Sequence, residues 1–183
     1  MNSFYTQEEL PALGLKSIGE NVLISRNAQF YGAENMVIGN NVRIDDFCIL
    51  SGKITLGSYI HISAYCALYG AYGIEMEDYT GCSPRCTIFS ASDDFSGDFL
   101  IGPMVEKLKT NVTGGKVLIK KFSQIGANSV ILPDLVIGEG IAVGAMSLIN
   151  KDLAEWGIYA GIPVKHIKER KRGLLNFFNQ KKK

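Results

Sequence analysis

Apolar residues recur along most of this chain with a period of six. One column runs without a break through the early part of the sequence: Ile38, Ile44, Leu50, Leu56, Ile62 and Leu68. A second column lies two residues earlier in each hexad: Met36, Val42, Cys48, Ile54, Ile60 and Cys66. An amphipathic helix would need apolar residues every three or four positions, and a simple strand would alternate every two. A period of six instead predicts short strands joined by corners and stacked as the coils of a solenoid.

The repeat is interrupted and then resumes. It passes a short insertion near Tyr69–Gly73, stops after Ile88 and returns between Val117 and Ile149. Three strands per coil would form a triangular prism whose coils stack about 4.8 Å apart. Gly39 and Gly57 recur one coil apart, and we expect them to provide the positive φ that corners need. The sequence therefore predicts an all-β fold, a parallel β-helix of hexapeptide repeats.

A single domain is expected from 183 residues. Its predicted parts are an N-terminal cap (1–17), β-helix coils (18–88 and 117–150), a protruding loop (89–116) and a C-terminal segment with a basic tail (151–183). Thr6 and Glu9 have the spacing of a capping box, which predicts a short helix in the cap. A second short helix is expected from Val164 to Arg172. Because a long loop on a rigid scaffold usually carries function, the protruding loop is the first candidate for an active site.

Composition and charge exclude several functional classes. With 46% hydrophobic and 20% charged residues the chain is ordinary for a soluble protein. It shows no apolar run long enough to span a membrane and no signal peptide, so we expect a cytoplasmic protein. Residues 165–183 hold eight Lys and Arg against Glu169 alone, which leaves about −6 on the rest of a chain whose net charge is +1. The chain before residue 165 is therefore not expected to bind nucleic acid. The basic tail is expected either to bind a phosphate-bearing partner or to be solvated.

The cysteine and histidine content argues against a metal site. Cys48, Cys66 and Cys86 share one inward column and are expected to be buried thiols rather than disulfides. Cys82 and Cys86 form C-x3-C without a second ligand pair, so no zinc site is predicted. A γ-class carbonic anhydrase is also a hexapeptide solenoid, but it needs three His on zinc, and this chain has two His in all.

The last coils carry a motif with a known counterpart. Residues 136–167 contain Val-Ile-Gly-Glu-Gly, then Ala-Met-Ser-Leu-Ile-Asn-Lys-Asp, then Ala-Gly-Ile-Pro-Val-Lys-His-Ile. This series resembles the end of the hexapeptide-repeat acetyltransferases, whose fold is a left-handed parallel β-helix with a protruding loop and a short C-terminal helix. Residues 43–52 and 92–97 further resemble the acyltransferases of dTDP-4-amino-4,6-dideoxy-D-glucose, which serve O-antigen and cell-surface polysaccharide synthesis. The resemblance covers nearly the whole chain.

The resemblance implies a homotrimer with active sites in the clefts between neighbouring solenoids. It also implies that acetyl-CoA lies along the late coils and that a nucleotide sugar is the acceptor. Nine residues are expected to bind acetyl-CoA. Gly126, Ala127, Gly144 and Ala145 would let it approach the backbone closely. Ile162 and Pro163 would lie beside its adenine, and Lys151, Lys165 and Lys168 near its phosphates. The alternative for each lysine is that it binds no phosphate and is simply exposed to solvent on the C-terminal segment.

The protruding loop departs from the family at one position. Many members carry a general-base histidine there, whereas this chain has Asp93. A sugar hydroxyl needs a base, but an amine needs only to lose its ammonium proton, so an acidic loop favours N-acylation. We expect Asp93 to bind or deprotonate the amine, with Asp94 and His61 assisting. The alternative is that the two aspartates cap a turn.

Together these features predict an acetyl-CoA-dependent N-acetyltransferase for the 4-amino group of a nucleotide-linked 4-amino-4,6-dideoxyhexose. Two alternatives stay open, namely O-acetylation of a sugar, as in galactoside acetyltransferases, and a non-catalytic trimeric scaffold. Preference for an amino sugar over its hydroxyl analogue would decide against the first. Binding of CoA would decide against the second.

Overall fold

The structure is a computed structural model that describes residues 3–180, and short strands dominate it. In chain order the strands are β1 (Ser17–Ile18), β2 (Leu23–Ile24), β3 (Gln29–Tyr31), β4 (Met36–Ile38), β5 (Val42–Ile44), β6 (Ile49–Leu56), β7 (Ile60–Ile62), β8 (Ala67–Met76), β9 (Gly81–Cys82), β10 (Thr87–Phe89), β11 (Ala91–Ser92), β12 (Thr113–Gly114), β13 (Val117–Ile119), β14 (Gln124–Ile125), β15 (Val130–Ile131), β16 (Val136–Ile137), β17 (Ala142–Val143), β18 (Leu148–Ile149), β19 (Gly157–Ala160) and β20 (Lys165–Glu169). Turns of 3₁₀ helix lie at Leu10–Leu13, Ala33–Asn35 and Lys107–Lys109, and an α-helix, α1, spans Leu174–Gln180.

The strands stack in parallel into three faces of a prism. The first face contains β1, β4, the second halves of β6 and β8, β13 and β16. The second face contains β2, β5, β7, β9, β14, β17 and β19. The third face contains β3, the first halves of β6 and β8, β10, β15 and β18. The predicted parallel β-helix is confirmed.

The interior holds the two predicted apolar columns. Every member of these columns between Met36 and Leu68 is at most 2% exposed. Cys48, Cys66 and Cys86 are free thiols stacked in this core, as predicted, and each lies 3.1–3.2 Å from a backbone carbonyl oxygen of the next coil. Within residues 3–180, no three His, Cys, Asp or Glu side chains cluster in a way that could hold a metal ion.

Three rows of corners join the faces. The first corner, between the first and second faces, carries Asn41, Tyr59, Tyr79 and Phe122. The second corner, between the second and third faces, carries Phe47, Tyr65, Arg85, Asn128 and Met146. All of these residues have positive φ. The third corner joins the third face to the first, and Asp134 has positive φ there.

The reason predicted for the corner glycines is wrong. Positive φ falls two residues later, at Asn41 and Tyr59, whose φ angles are 56° and 61°. Gly39 and Gly57 are needed because the coils stack closely at their positions. A Cβ atom on Gly39 would lie 2.4 Å from the Gly57 oxygen, and one on Gly57 would lie 2.6 Å from Asp78 Oδ1.

The predicted protruding loop leaves the solenoid at the third corner, after β10, and returns at β13. The antiparallel pair of β11 and β12 closes its base. Tyr72 also ties the base to the solenoid, because its hydroxyl donates to Val112 O at 3.2 Å. The loop is therefore anchored where it leaves the prism.

The ends of the chain differ in part from expectation. The Thr6 N–H donates to Glu9 Oε2 at 2.8 Å, as in a capping box, but the following turn is 3₁₀ rather than α-helical. The helix expected from Val164 to Arg172 is wrong, since β20 pairs with β19 there, and α1 begins only at Leu174. The strand is favoured because it satisfies backbone groups of β19 that would otherwise lack partners. Lys181–Lys183 lie outside the described residues.

In the part of the chain from 3 to 180, none of the helices is long and apolar enough to cross a membrane.

Candidate active site

Small residues line the second corner in the late coils. Gly126 and Ala127 lie beside Gly144 and Ala145 in consecutive coils, and the Gly126 N–H donates to Val143 O at 2.9 Å. A Cβ atom on Gly126 would approach that oxygen to 2.5 Å, so only glycine fits. These four small residues, called the lane below, leave a shallow backbone surface that suits an extended ligand.

The lane continues into the turn between β19 and β20. Ile162 and Pro163 lie in this turn, and Ile162 is 71% exposed. Lys165 and Lys168 follow on β20, the edge strand of the second face, and both are exposed. Besides the four residues of the lane, five residues were predicted to bind acetyl-CoA. Four of these five therefore lie near one end of the lane.

Ser83 stands at the opposite end of the lane, one coil before Gly126. The Ser83 N–H donates to Ile125 O at 2.9 Å, and Gln124 Nε2 donates to Ser83 Oγ at 3.2 Å. Because Gln124 already uses the hydroxyl as an acceptor, the O–H of Ser83 can donate to a ligand. Ser83 is not among the residues predicted from the sequence. The hexad could have identified Ser83. Cys82 pairs with Ile125 in the adjacent coil, so Ser83, which follows Cys82, occupies the position equivalent to Gly126 of the lane.

His61 lies on the outer surface of the second face, in register with Arg43 and Gly81. Its Nε2 is 2.7 Å from Asp45 Oδ2, and Arg43 Nε donates to Asp45 Oδ1 at 2.6 Å. Burial acts to raise the pKa of Asp45, but the hydrogen bonds from Arg43 and His61 outweigh it, so this pKa lies below its ordinary value. The imidazole is thus held in one orientation while remaining half exposed.

The two loop aspartates have different surroundings. Asp94 caps a turn, as the alternative reading predicts, because it accepts hydrogen bonds from the Ser96 N–H at 2.9 Å and from Asn111 Nδ2 at 3.1 Å. The hydrogen bond from the Ser96 side chain is the main cause that lowers the pKa of Asp94. Asp93 is exposed, and no residue in the range 3–180 donates a hydrogen bond to its carboxylate. Asp93 is therefore free to bind a ligand.

A cavity of about 430 Å³ opens beside Asp93. Its walls are mostly apolar, with Phe89, Phe95, Leu132 and Pro133 among the lining residues. One charged group at the edge of an apolar pocket is an arrangement that positions small organic ligands.

One chain does not bring all the candidate residues together. Ser83, His61 and the lane lie on the second corner and second face, whereas Asp93, Asp94 and Lys151 lie at the third corner or on its loop. The loop also exposes large apolar side chains, since Phe95, Met104 and Leu108 are 87%, 96% and 96% exposed.

No family model matches the chain. Among curated proteins it is 42% identical over 176 residues to dTDP-4-amino-4,6-dideoxy-D-glucose acyltransferase of Escherichia coli, and the match covers 94% of this chain and 92% of that protein.

Among solved structures, a variant of AntD, an N-acyltransferase from Bacillus cereus, superposes with a TM-score of 0.96 at 55% identity, covering 98% of this chain and 97% of AntD. That crystal structure contains dTDP-4-amino-4,6-dideoxyglucose and coenzyme A, and another AntD structure contains dTDP and 3-hydroxybutyryl-CoA. A hexapeptide-repeat acetyltransferase from Vibrio cholerae shares the fold, with a TM-score of 0.67 at 17% identity over 93% of this chain and 81% of its own.

Proposed function

Because the chain belongs to the hexapeptide-repeat acyltransferase family that includes dTDP-4-amino-4,6-dideoxy-D-glucose acyltransferase, we propose that it transfers an acyl group from CoA to the 4-amino group of dTDP-4-amino-4,6-dideoxy-D-glucose. One observation carries this proposal. The lane for an extended donor ends at Ser83, whose hydroxyl is oriented by Gln124 and is free to donate.

The donor is an acyl-CoA thioester that lies along the lane. Gly126, Ala127, Gly144 and Ala145 allow the pantetheine arm close to backbone N–H and C=O groups. Ile162 and Pro163 provide an apolar surface for adenine, and Lys165 and Lys168 meet the phosphates as point charges. Lys151 lies across the third face, so it could reach only a donor held by a neighbouring subunit.

The acting assembly is a homotrimer in which the loop of one subunit completes the site of the next. Two features support it: Asp93 and Ser83 lie at different corners of one chain, and the loop that carries Asp93 exposes the apolar side chains of Phe95, Met104 and Leu108. Burying these side chains against a neighbour would bring the free carboxylate to the end of the lane.

In this site the amine nitrogen attacks the thioester carbonyl carbon, the C–S bond breaks, and the CoA thiolate leaves and takes up the second proton of the amine as the amide forms. The Asp93 carboxylate holds the incoming ammonium and accepts its proton, after which the amine is nucleophilic by itself. The Ser83 hydroxyl donates to the oxyanion of the tetrahedral intermediate. His61, oriented by Asp45, assists at the edge of the second face, and Asp94 holds the loop turn.

The AntD structures lend support to two of these roles. They include variants at a serine and at an aspartate that are ten positions apart. Ser83 and Asp93 are also ten positions apart. This equal spacing, in two chains that align over 98% of this one, supports matching Ser83 and Asp93 to the two AntD positions.

The apolar cavity beside Asp93 suits the deoxygenated C6 of the acceptor. Leu132 and Pro133 would contact the C6 methyl group and would leave a C6 hydroxyl without a partner. A pocket of this kind discriminates against an added hydroxyl by up to about 100-fold. The cytoplasm, which supplies both CoA thioesters and nucleotide sugars, is the proposed location, and O-antigen or other polysaccharide synthesis is the proposed process.

Turnover assays test the proposal directly. Purified protein would be mixed with acetyl-CoA or 3-hydroxybutyryl-CoA and dTDP-4-amino-4,6-dideoxyglucose, and free thiol would be followed together with product mass. Thiol release matched by one added acyl group is the expected result. Release only with hydroxyl acceptors would replace the proposal by O-acylation, and absence of CoA binding would favour a scaffold.

A further inference from the structure

A further cavity, of about 320 Å³, lies under α1 at the first corner. Tyr79 and Phe122 line it on the solenoid side, and Phe177 and Phe178 line it on the helix side. Arg170 is the one charged side chain among the described residues that line it. The proposed reaction assigns no ligand to this space, which is called the α1 cavity below.

The rings around the α1 cavity are held in place on one side and open to solvent on the other. Phe178 packs edge-on against Tyr79 and Phe122, with ring centroids 5.4 and 5.1 Å apart. Tyr79 and Phe122 stack on each other at 5.6 Å, so three rings fix α1 against the corner. Phe177 precedes Phe178 on the helix and is 74% exposed. A ligand could therefore enter beside Phe177 and rest on an aromatic wall.

Arg170 carries an uncompensated charge at this cavity. Its Nη1 donates to the carbonyl oxygens of Phe122, Gly140 and Ile141. In the described part of the chain its Nε and Nη2 donate to no acceptor, and no carboxylate lies within ion-pair distance of it. Burial lowers the pKa of this guanidinium, because a partly desolvated charge without an anion costs free energy. A bound anion would offset that cost.

We propose that the α1 cavity binds a small apolar carboxylate, with its hydrocarbon part among the rings and its carboxylate group on Arg170. Nε and Nη2 form one side of the planar guanidinium, and this side can donate two parallel hydrogen bonds to a carboxylate. A phosphate dianion fits less well, since the apolar walls would leave its second charge without donors. The inference goes beyond the proposed function and does not depend on it.

The size of the α1 cavity narrows the class of ligand. Pockets for small organic ligands usually measure about 300–1,000 Å³, so a cavity of about 320 Å³ lies at the lower end. It suits a phenylalkanoate or a short-chain fatty acid rather than a nucleotide. Gln124 also lines the cavity and donates to Ser83 Oγ at 3.2 Å, so one side chain separates this site from the end of the lane.

Calorimetric titration of 4-phenylbutyrate into the full-length protein tests the site. We expect a Kd of about 0.1–1 mM, as for other ligands of this size. 4-Phenylbutan-1-ol has a hydroxyl in place of the carboxylate and should bind at least about tenfold more weakly, because it cannot form the paired charge-assisted hydrogen bonds. Saturating CoA and dTDP-4-amino-4,6-dideoxyglucose, the ligands of the proposed active site, should leave the Kd of the acid unchanged.

Two substitutions at the exposed Phe177 separate charge from packing. Phe177→Asn loses the ring contact and should weaken binding of the acid by about two- to tenfold. Phe177→Asp has nearly the same size as Phe177→Asn, but its carboxylate can pair with Arg170 and repel the probe. It should therefore bind at least about tenfold more weakly than Phe177→Asn. Ile167→Asp, at a 58% exposed position of β20 outside the cavity, is the matched control and should bind like the parent.

Equal affinities for the acid and the alcohol would overturn the inference, because such binding needs no cation. Equal affinities of Phe177→Asp and Phe177→Asn for the acid would overturn it for the same reason. Displacement of the acid by the active-site ligands, or no binding to the parent up to about 10 mM, would also overturn it. Since no arm of the experiment measures acylation, failure of the proposed function would not produce any of these results.

Discussion

The imidazole of His61 lies 2.7 Å from the carboxylate of Asp45 across two adjacent coils. Arg43 donates to the other carboxylate oxygen at 2.6 Å, so one partly buried acid links two residues of adjacent coils. The Asp45 carboxylate is therefore stabilised in its charged form, which has a measurable consequence for stability.

Asp45→Asn should reduce stability at neutral pH but not in acid. The folded-state pKa of Asp45 lies below the ordinary 3.8, so its contribution is present above that value and is lost as the pH falls through the folded pKa. Because solvent screens the group, we expect only about 0.5–1 kcal/mol at pH 7. The difference in unfolding free energy between parent and variant, measured from pH 7 to pH 3, should begin to shrink as the pH falls below 3.8. Asp98→Asn, on an exposed loop acid, should show no such difference.

Substitution with asparagine should distinguish the roles of the two loop aspartates. Asp93→Asn removes the proton acceptor and should lower kcat/KM at least about tenfold without changing Tm. Asp94→Asn keeps an oxygen that can accept from the Ser96 N–H, so the turn and most activity should survive. Steady-state kinetics with the amino sugar distinguish the two. Parent-like turnover in Asp93→Asn would remove Asp93 from the mechanism.

The solenoid was predictable because its hexad is a property of consecutive residues. Ile44, Ile62 and Cys82 align in register because the spacing along the chain places them in the same column. The lane followed from the same spacing together with a recognisable end motif. Elements outside the repeat were harder to predict from the sequence. The segment after Val164, expected to be a helix, is an edge strand because it pairs with β19, and its own sequence pattern does not indicate this pairing.

The sequence did not predict how the candidate residues are arranged. Asp93 and Asp94 are neighbours in sequence, yet only the folded loop distinguishes the turn cap from the free carboxylate. Ser83 is an ordinary corner residue in sequence, and its interest comes from its position at the end of the lane. In the proposed trimer, the distance from Asp93 of one subunit to Ser83 of the next would depend on the packing of subunits, which no pattern within one chain encodes.

Filling the lane should block the donor selectively. Ala145 is exposed in the lane, so Ala145→Leu adds bulk without disturbing the core. We expect the Kd for CoA to rise at least about tenfold, since a side chain would occupy the surface of the pantetheine arm. Ala154→Leu, at an exposed position outside the lane, is the matched control and should bind CoA normally. Equal CoA affinity in the two variants would contradict the assignment of the lane.

Arg170 should stabilise the C-terminal end of the solenoid without taking part in catalysis. Its Nη1 donates to the carbonyl oxygens of Phe122, Gly140 and Ile141 at 2.7, 3.0 and 3.1 Å. Arg170→Met would leave these carbonyls short of a donor and should cost about 1–3 kcal/mol, which for a chain of this size lowers Tm by about 2–4 °C per kcal/mol. Arg170→Lys, which keeps one donor group, should lose less. Calorimetric Tm values that do not fall in Arg170→Met would show that β20 docks without this guanidinium, and kcat should be unchanged in either variant because the first corner lies away from Ser83.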